Sequence, residues 1–161
     1  MLTKNFYSYI RAAFQDIPAA FVQTDGTAVS KAYSKADNPF VVMKKWAADI
    51  STSGVSFGTG TTPATASDYV IESILNNTQI SVSTPSAVSF SRADTYDEYS
   101  VTFGITNKTA ESITISEVGL TIYGTNNPFP YVLVDRTVLD VPVTIPAGQS
   151  KQITYTIRFN Y

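Results

Sequence analysis

From Ile153 to Tyr161 the chain reads Ile-Thr-Tyr-Thr-Ile-Arg-Phe-Asn-Tyr, with an apolar or aromatic side chain at every odd position and a polar one at every even position. Only a strand repeats its faces every two residues, so this stretch is a half-buried strand and the C-terminus belongs to a sheet. Just before it, Val141, Val143 and Ile145 alternate with Pro142 and Thr144, and Pro146-Ala-Gly148 then reverses the chain. The last twenty residues therefore read as two strands joined by a turn.

The same period runs upstream. Gln79 to Ser83 is a short strand ended by Pro85, and Ala87 to Arg92 carries Val88 and Phe90 on one face. Tyr99, Val101, Phe103 and Ile105 form a regular strand stopped at Asn107-Lys108. Ile113 and Ile115 begin the next, but its apolar positions then move to Val118, Leu120 and Ile122. A two-residue period cannot change parity without an irregularity, which places a bulge near Ser116-Glu117-Val118, with Gly119 suited to it or to a close backbone approach. Gly124 to Pro130 is a loop, and Tyr131-Val-Leu-Val134, apolar on both faces, suits a strand covered from two sides. About seven short strands with turns every ~8–12 residues specify a mainly β chain over residues 51–161, an antiparallel β-sandwich of immunoglobulin-like or jelly-roll type. In that arrangement Ile153 to Tyr161 is expected inside a sheet, closing the sandwich, with partner contacts left to the loops and the N-terminal segment.

Residues 1–50 have a different texture. Leu2, Phe6, Ile10 and Phe14 recur every four residues, with Lys4, Asn5 and Arg11 around the turn, which describes a short amphipathic helix or arm ending before Pro18. Its apolar stripe is either a docking face for a neighbouring subunit or a face packed on its own domain, and Leu2, Phe6, Ile10 and Phe14 are the candidate interaction residues. Residues 22–38 show little periodicity and read as a loop. Phe40 to Trp46 is a short apolar segment whose single tryptophan is an anchor or a stacking platform. Val55 to Pro63 reads as a strand entering a glycine turn. Gly58-Thr-Gly60 invites an anion-binding loop, but no lysine follows the hydroxyl residues and Pro63 replaces the helix that such a loop requires. Ala64 to Asn76, with a start signal at Ser67-Asp68, is one or two helical turns or an irregular connection.

Composition narrows the chemistry. The 161 residues contain no His and no Cys, which removes the commonest general base, thiol catalysis, disulfides and the usual zinc ligands. Neither a catalytic group nor a metal or cofactor site is expected, and the chain reads as no enzyme. Asp94, Asp97 and Glu98 cluster in a hairpin loop, but their spacing lacks the glycine and distal glutamate of a calcium loop, so a solvated turn is the better reading. With a net charge of −2 and one adjacent basic pair, Lys44-Lys45, no nucleic-acid surface is expected. No apolar run approaches the ~20 residues that span a bilayer, so no membrane partner is expected either. Charged residues make up 15% of the chain and aromatic ones 12%, with ten Tyr, a surface suited to covering by other proteins because few charges must be desolvated. Glu117 and Arg136 stand out as charges inside apolar strands. They are the candidate structural ion pair, since Arg grips a carboxylate through two parallel hydrogen bonds.

Several of these stretches, taken in order, resemble small virion structural proteins of tailed bacteriophages: Gly58-Thr-Gly-Thr-Thr-Pro63 before Asp68-Tyr69, Ile115-Ser-Glu-Val-Gly-Leu120, Leu133-Val-Asp-Arg136, Val141-Pro-Val-Thr-Ile-Pro-Ala-Gly148 and the closing Tyr-Thr-Ile-Arg-Phe strand. The likeness spans roughly residues 55–161. It implies a non-enzymatic subunit of a tail, collar, ring, fibre or capsid attachment, homo-oligomeric, contacting other virion proteins, and located in the virion after assembly in the host cytoplasm. The alternative from residue types alone is a carbohydrate-binding β-sandwich that recognises a host surface through exposed aromatic platforms.

Overall fold

A computed structural model describes residues 1–15, 18–31, 43–85, 87–123 and 131–160, and most of them lie in strands. Among the described residues one helix, α1 (Lys4–Gln15), precedes nine strands: β1 (Ala19–Val22), β2 (Ala28–Lys31), β3 (Gly54–Gly58), β4 (Ile80–Val82), β5 (Ser89–Ala93), β6 (Tyr96–Asn107), β7 (Ile113–Tyr123), β8 (Tyr131–Ile145) and β9 (Ser150–Asn160). The fold is mainly β with antiparallel strand pairing, and its two larger sheets pack as a sandwich.

The topology reduces to three long arms, each creased in the middle so that it contributes to both layers. The first arm is β3 followed by β4 and β5, the second is β6–β7, and the third is β8–β9. The first parts of the first and third arms, β3 and β8, flank the second half of the middle arm, β7, in one sheet of order β3-β7-β8. In the other sheet β9 pairs with β6 from Tyr96↔Asn160 to Thr106↔Ser150, while β5 and β4 share the opposite edge of β6. Between the sheets lies a single apolar core in which Phe57 and Phe103 meet edge to face, with centroids 5.4 Å apart. Asn107 holds the creases of the second and third arms together. Its buried amide donates to the carbonyls of Glu111 (2.7 Å) and Ile145 (2.9 Å), and its oxygen accepts from the Thr109 amide and hydroxyl. A strand stop read from sequence is thus also the hinge pin of the sandwich.

The break in β7 falls where the parity change requires it. Register shifts between Ile115↔Val143 and Glu117↔Val138, yet the surplus residues, 139–142, are in the partner strand β8 rather than in β7. Pro142 explains the side chosen, since it has no N–H to give the ladder and the strand is extruded around it. Gly119 serves a close approach: a Cβ there would lie 2.7 Å from Ile71 Cγ2.

Three expectations for the N-terminal region and the chain end are corrected. First, α1 forms, but Phe6 is buried in the domain's own core and Leu2 and Ile10 pack against it, so the stripe is not a free docking face. The side chain of Phe14 lies outside the described residues. With Tyr9, Ala12, Ala19, Phe21 and Met43 in the same core cluster, residue 50 is not a boundary between separate cores among the described residues. Amphipathic spacing reports that a face is covered, not by which molecule. Second, residues 19–31 are a hairpin, not the start of a loop. Its turn is Asp25-Gly26, in which Gly26 takes φ +86° and the Asp25 carboxylate accepts the Thr27 amide at 2.8 Å. Third, β9 pairs only with β6 and is an edge strand among the described residues. Alternation is satisfied by one buried face and carries no information about how many neighbours a strand has. The loop from Gly124 to Pro130, the first residues of Phe40 to Trp46, and Tyr161 lie outside the described residues.

Candidate functional site

Glu117 and Arg136 occupy outward positions on neighbouring strands of the β3-β7-β8 sheet, the face away from the core. An outward charge is ordinarily solvated, but here residues 59–79 fold back over the sheet and bury both side chains to 0% and 4% exposure. The arginine Nε donates to Glu117 Oε2 at 2.9 Å, Nη1 to Asp68 Oδ2 at 2.8 Å and Nη2 to the Thr62 carbonyl at 3.1 Å, with Glu72 Oε2 at 3.5 Å. The glutamate in turn accepts three backbone amides, from Gly60 (3.1 Å), Glu72 (3.1 Å) and Ser73 (2.8 Å). The pair expected from sequence is thus the centre of a node that shapes the entire 59–79 segment, which forms no helix.

The glycine turn gains its explanation here. Gly58-Thr-Gly60 does cradle an anion, and the anion is the protein's own Glu117 carboxylate. A Cβ on Gly58 or Gly60 would lie 2.6 or 2.5 Å from Glu117 Oε1, so only glycine admits the carboxylate. Asp68 and Glu72 were not among the residues singled out for the pair. Burial alone would raise the Asp68 carboxyl, but hydrogen bonds from the Thr65 amide and hydroxyl and from Arg136 outweigh it and hold its pKa below the ordinary value. The Thr62 amide and hydroxyl lower the Glu72 pKa, and Arg136 adds to the effect. On Arg136 itself, desolvation is outweighed by Asp68 and Glu117, which raise its pKa further. An open cleft of about 290 Å³ lies over the node, lined by Thr62, Ser67, Asp68, Tyr69, Val70, Glu72 and Arg136. The guanidinium facing it already donates to oxygens from each of its nitrogens, so the node is built to hold a loop rather than to grip a ligand.

A second charged node lies inside the sandwich. Asp135 points inward from β8 and accepts the Tyr155 hydroxyl at 2.8 Å, while the Met1 amine sits 3.0 Å from its other oxygen. Burial, then the Asp135 charge and hydrogen bond, push the Tyr155 hydroxyl well above its usual pKa. Met1 to Thr3 are zipped along β8 beside it, with the Thr3 amide on the Val134 carbonyl and the Arg136 amide on the Met1 carbonyl, both at 3.0 Å.

The outer face of the β6/β9 sheet is of another kind. Its cross-strand rows are Ser100 with Thr156 (2.8 Å), Thr102 with Thr154 (2.8 Å) and Thr106 with Ser150 (2.6 Å), each joined hydroxyl to hydroxyl. Gly104 opposite Gln152 completes the lattice, and Thr114 with Thr144 repeats the pairing on the neighbouring sheet. Charge enters only at the far end, where Glu98 is gripped by Arg158 at 2.7 and 3.0 Å. The acidic cluster resolves similarly: Asp97 takes two bonds from Arg92 across the hairpin, at 2.7 and 2.8 Å. In a strand pattern Ser and Thr register only as polar alternates, which leaves this face unmarked. Their recurrence at 100, 102, 106 and at 150, 154, 156 was the available signal.

Trp46 is half-buried and packs against the core, with its indole nitrogen enclosed and unbonded among the described residues. Among the described residues there is no cluster of three or more potential metal ligands, and no helix is long and apolar enough to cross a membrane. No protein-family model, curated protein or solved structure matches the chain.

Proposed function

We propose that this chain is a structural subunit of a bacteriophage virion, a non-enzymatic β-sandwich that works by protein–protein assembly as a homo-oligomer alongside other virion proteins. The observation that carries the reading is the hydroxyl lattice of the β6/β9 sheet. Over four consecutive rows this face presents Ser, Thr, Gly and Gln and no charge. Covering it displaces water from no ion, and the cross-strand hydroxyl bonds hold its side chains in fixed positions before contact. Of the charges nearby, Arg158 is already paired with Glu98 and Arg92 with Asp97, so these do not compete for a partner. The order of motifs that resembles tailed-phage virion proteins supports the same reading from the sequence side.

Sedimentation velocity over a wide concentration range tests it. A discrete, concentration-dependent oligomer is expected. A compact monomer at every concentration, with no association to particles from an infected host, contradicts it.

One observation favours the carbohydrate-binding alternative. An open cleft of about 520 Å³ is lined by Lys44, Lys45, Trp46, Thr52, Ser53 and Tyr131, among others, which brings aromatic and hydroxyl groups together. Titration with host-surface glycans while following Trp46 fluorescence distinguishes the two: saturable quenching supports sugar recognition, and an unchanged signal removes it.

A further inference from the structure

Each sheet of the sandwich has two edges, and three of the four are blocked by devices that natural sheets use against pairing with other chains. On the β3 edge, residues 45–47 lie alongside as a short parallel strand, with the Val55 amide on the Lys45 carbonyl (2.8 Å) and the Ala47 amide on the Val55 carbonyl (3.0 Å). The β8 edge is capped by Met1 to Thr3 at one end and broken by the extruded residues 139–142 at the other. Opposite β9, the β4/β5 edge is interrupted: register passes from Val82↔Ile105 to Ser89↔Ser100 across a segment containing Pro85.

The fourth edge, β9, has no covering segment, cap or break, and of such devices it carries only charge, at Lys151 and Arg158. It pairs with β6 residue for residue without a bulge and contains neither Pro nor Gly. Among the described residues, no backbone bond reaches its other edge between Ser150 and Arg158. Its charges over that span are Lys151 and Arg158, both positive, with no carboxylate.

We propose that β9 pairs antiparallel with β9 of a second copy, about a two-fold axis through Tyr155, so that one sheet runs through both molecules. This rests on the assembly reading above and specifies its contact. The register follows from three constraints. Both hydroxyl faces must lie on the same side, which requires odd residues opposite odd ones. Centring the axis between residues 154 and 155 violates this and also sets Lys151 against Arg158. Centring it on Thr154 faces Lys151 with the buried Ile157, whereas centring on Tyr155 moves that ammonium out to the half-buried Phe159 near the strand end. Centring on Tyr155 sets Ile153 opposite Ile157, Gln152 opposite Arg158 and Thr154 opposite Thr156. The rows Ser100–Thr156 and Thr154–Thr102 then join end to end across the axis, so the lattice is continued rather than interrupted. An isologous contact of this kind closes after two copies, and strand addition supplies main-chain bonds that need no special side chains.

The chain has no cysteine, so disulfide trapping has a clean background. Thr154→Cys and Thr156→Cys, both exposed positions, are prepared separately, checked for wild-type melting, mixed and mildly oxidised. The expected result is a covalent dimer as the main product of the mixture, linked between 154 and 156, and little from either variant alone. Thr102→Cys mixed with Thr106→Cys serves as the control and is expected to stay uncrosslinked. No 154–156 product while the wild type sediments as an oligomer overturns the β9 contact and leaves the assembly reading standing. No product together with a monomeric wild type overturns both.

Discussion

The two sheets are made from the same three arms, yet they have opposite relations to water. The β3-β7-β8 sheet is covered on both faces, by the core on one side and by residues 59–79 on the other. Under that segment its outward residues are Glu117, Gly119, Thr121, Leu133 and Arg136, all of them buried, and the sheet is open only at its far end, where Thr114 meets Thr144. The β6/β9 sheet is covered on one face only, and its outward residues are Ser, Thr, Gly and Gln joined in rows. The difference lies in how each side chain is satisfied. A buried carboxylate and guanidinium need many fixed partners, and supplying them organises the 59–79 segment, which has no regular structure of its own. A threonine pair is satisfied within the sheet and leaves its face flat. One sheet therefore holds the fold together, and the other is left free to meet a partner.

Removing Ile157 to Tyr161 is the harshest test of that division, because the arm that ends in the open sheet begins in the locked one. The deletion strips Ile157 from the core and the Phe159 ring from its contacts with Phe6 and Tyr99. Loss of the cooperative melting transition is expected; a truncated chain that still melts cooperatively would separate the two sheets into independent units. Next in size is Arg136→Met, which leaves Glu117 buried without its counter-ion. A loss of about 3–5 kcal/mol in chemical denaturation is expected, against less than about 1 kcal/mol if water reaches the node freely.

Tyr155→Phe removes the hydroxyl bond to Asp135 and is expected to cost about 1.5–3 kcal/mol. It also changes the alkaline limb. The Tyr155 pKa is raised in the folded state, so its contribution is complete below the unfolded value of about 10 and fades as pH climbs toward the folded one. The phenylalanine variant is expected to lose that part of the alkaline fall in melting temperature. The smallest effect belongs to Asp68→Asn. The Asp68 pKa is lowered on folding, so its contribution is present above the ordinary carboxylate value of about 3.9 and disappears as pH drops through the folded value. Melting of the asparagine variant is therefore expected to depend less on pH below about pH 4, with the wild-type slope retained if the Arg136 bond is immaterial.

What could be read from the chain follows the same line. Strand period exposed the sandwich, the parity break in β7 and the pair Glu117/Arg136, because two charges among Val118, Leu120, Val132 and Val134 cannot stay unpaired. It did not expose the segment that buries them: residues 59–79 have no repeat, and the match between Gly58-Thr-Gly60 and a carboxylate 57 residues on is visible only in space. Four-residue spacing identified α1 but not the surface that its stripe covers. Tyr155 alternated as an apolar residue, which hid a hydroxyl aimed at Asp135. Above all, alternation describes faces. Whether β9 has one neighbour or two is decided by backbone bonds, to which side-chain patterns are blind.

The division between a locking sheet and a contact sheet is tested most directly by Thr154→Lys/Thr156→Lys, followed by sedimentation and by melting. The two lysines stand on the open face, away from the core, and face their counterparts across the proposed axis. A wild-type oligomer that becomes a monomer of unchanged melting behaviour below the dissociation point is the predicted result. A variant that sediments as the wild type does, or a wild type that is already monomeric, would contradict it.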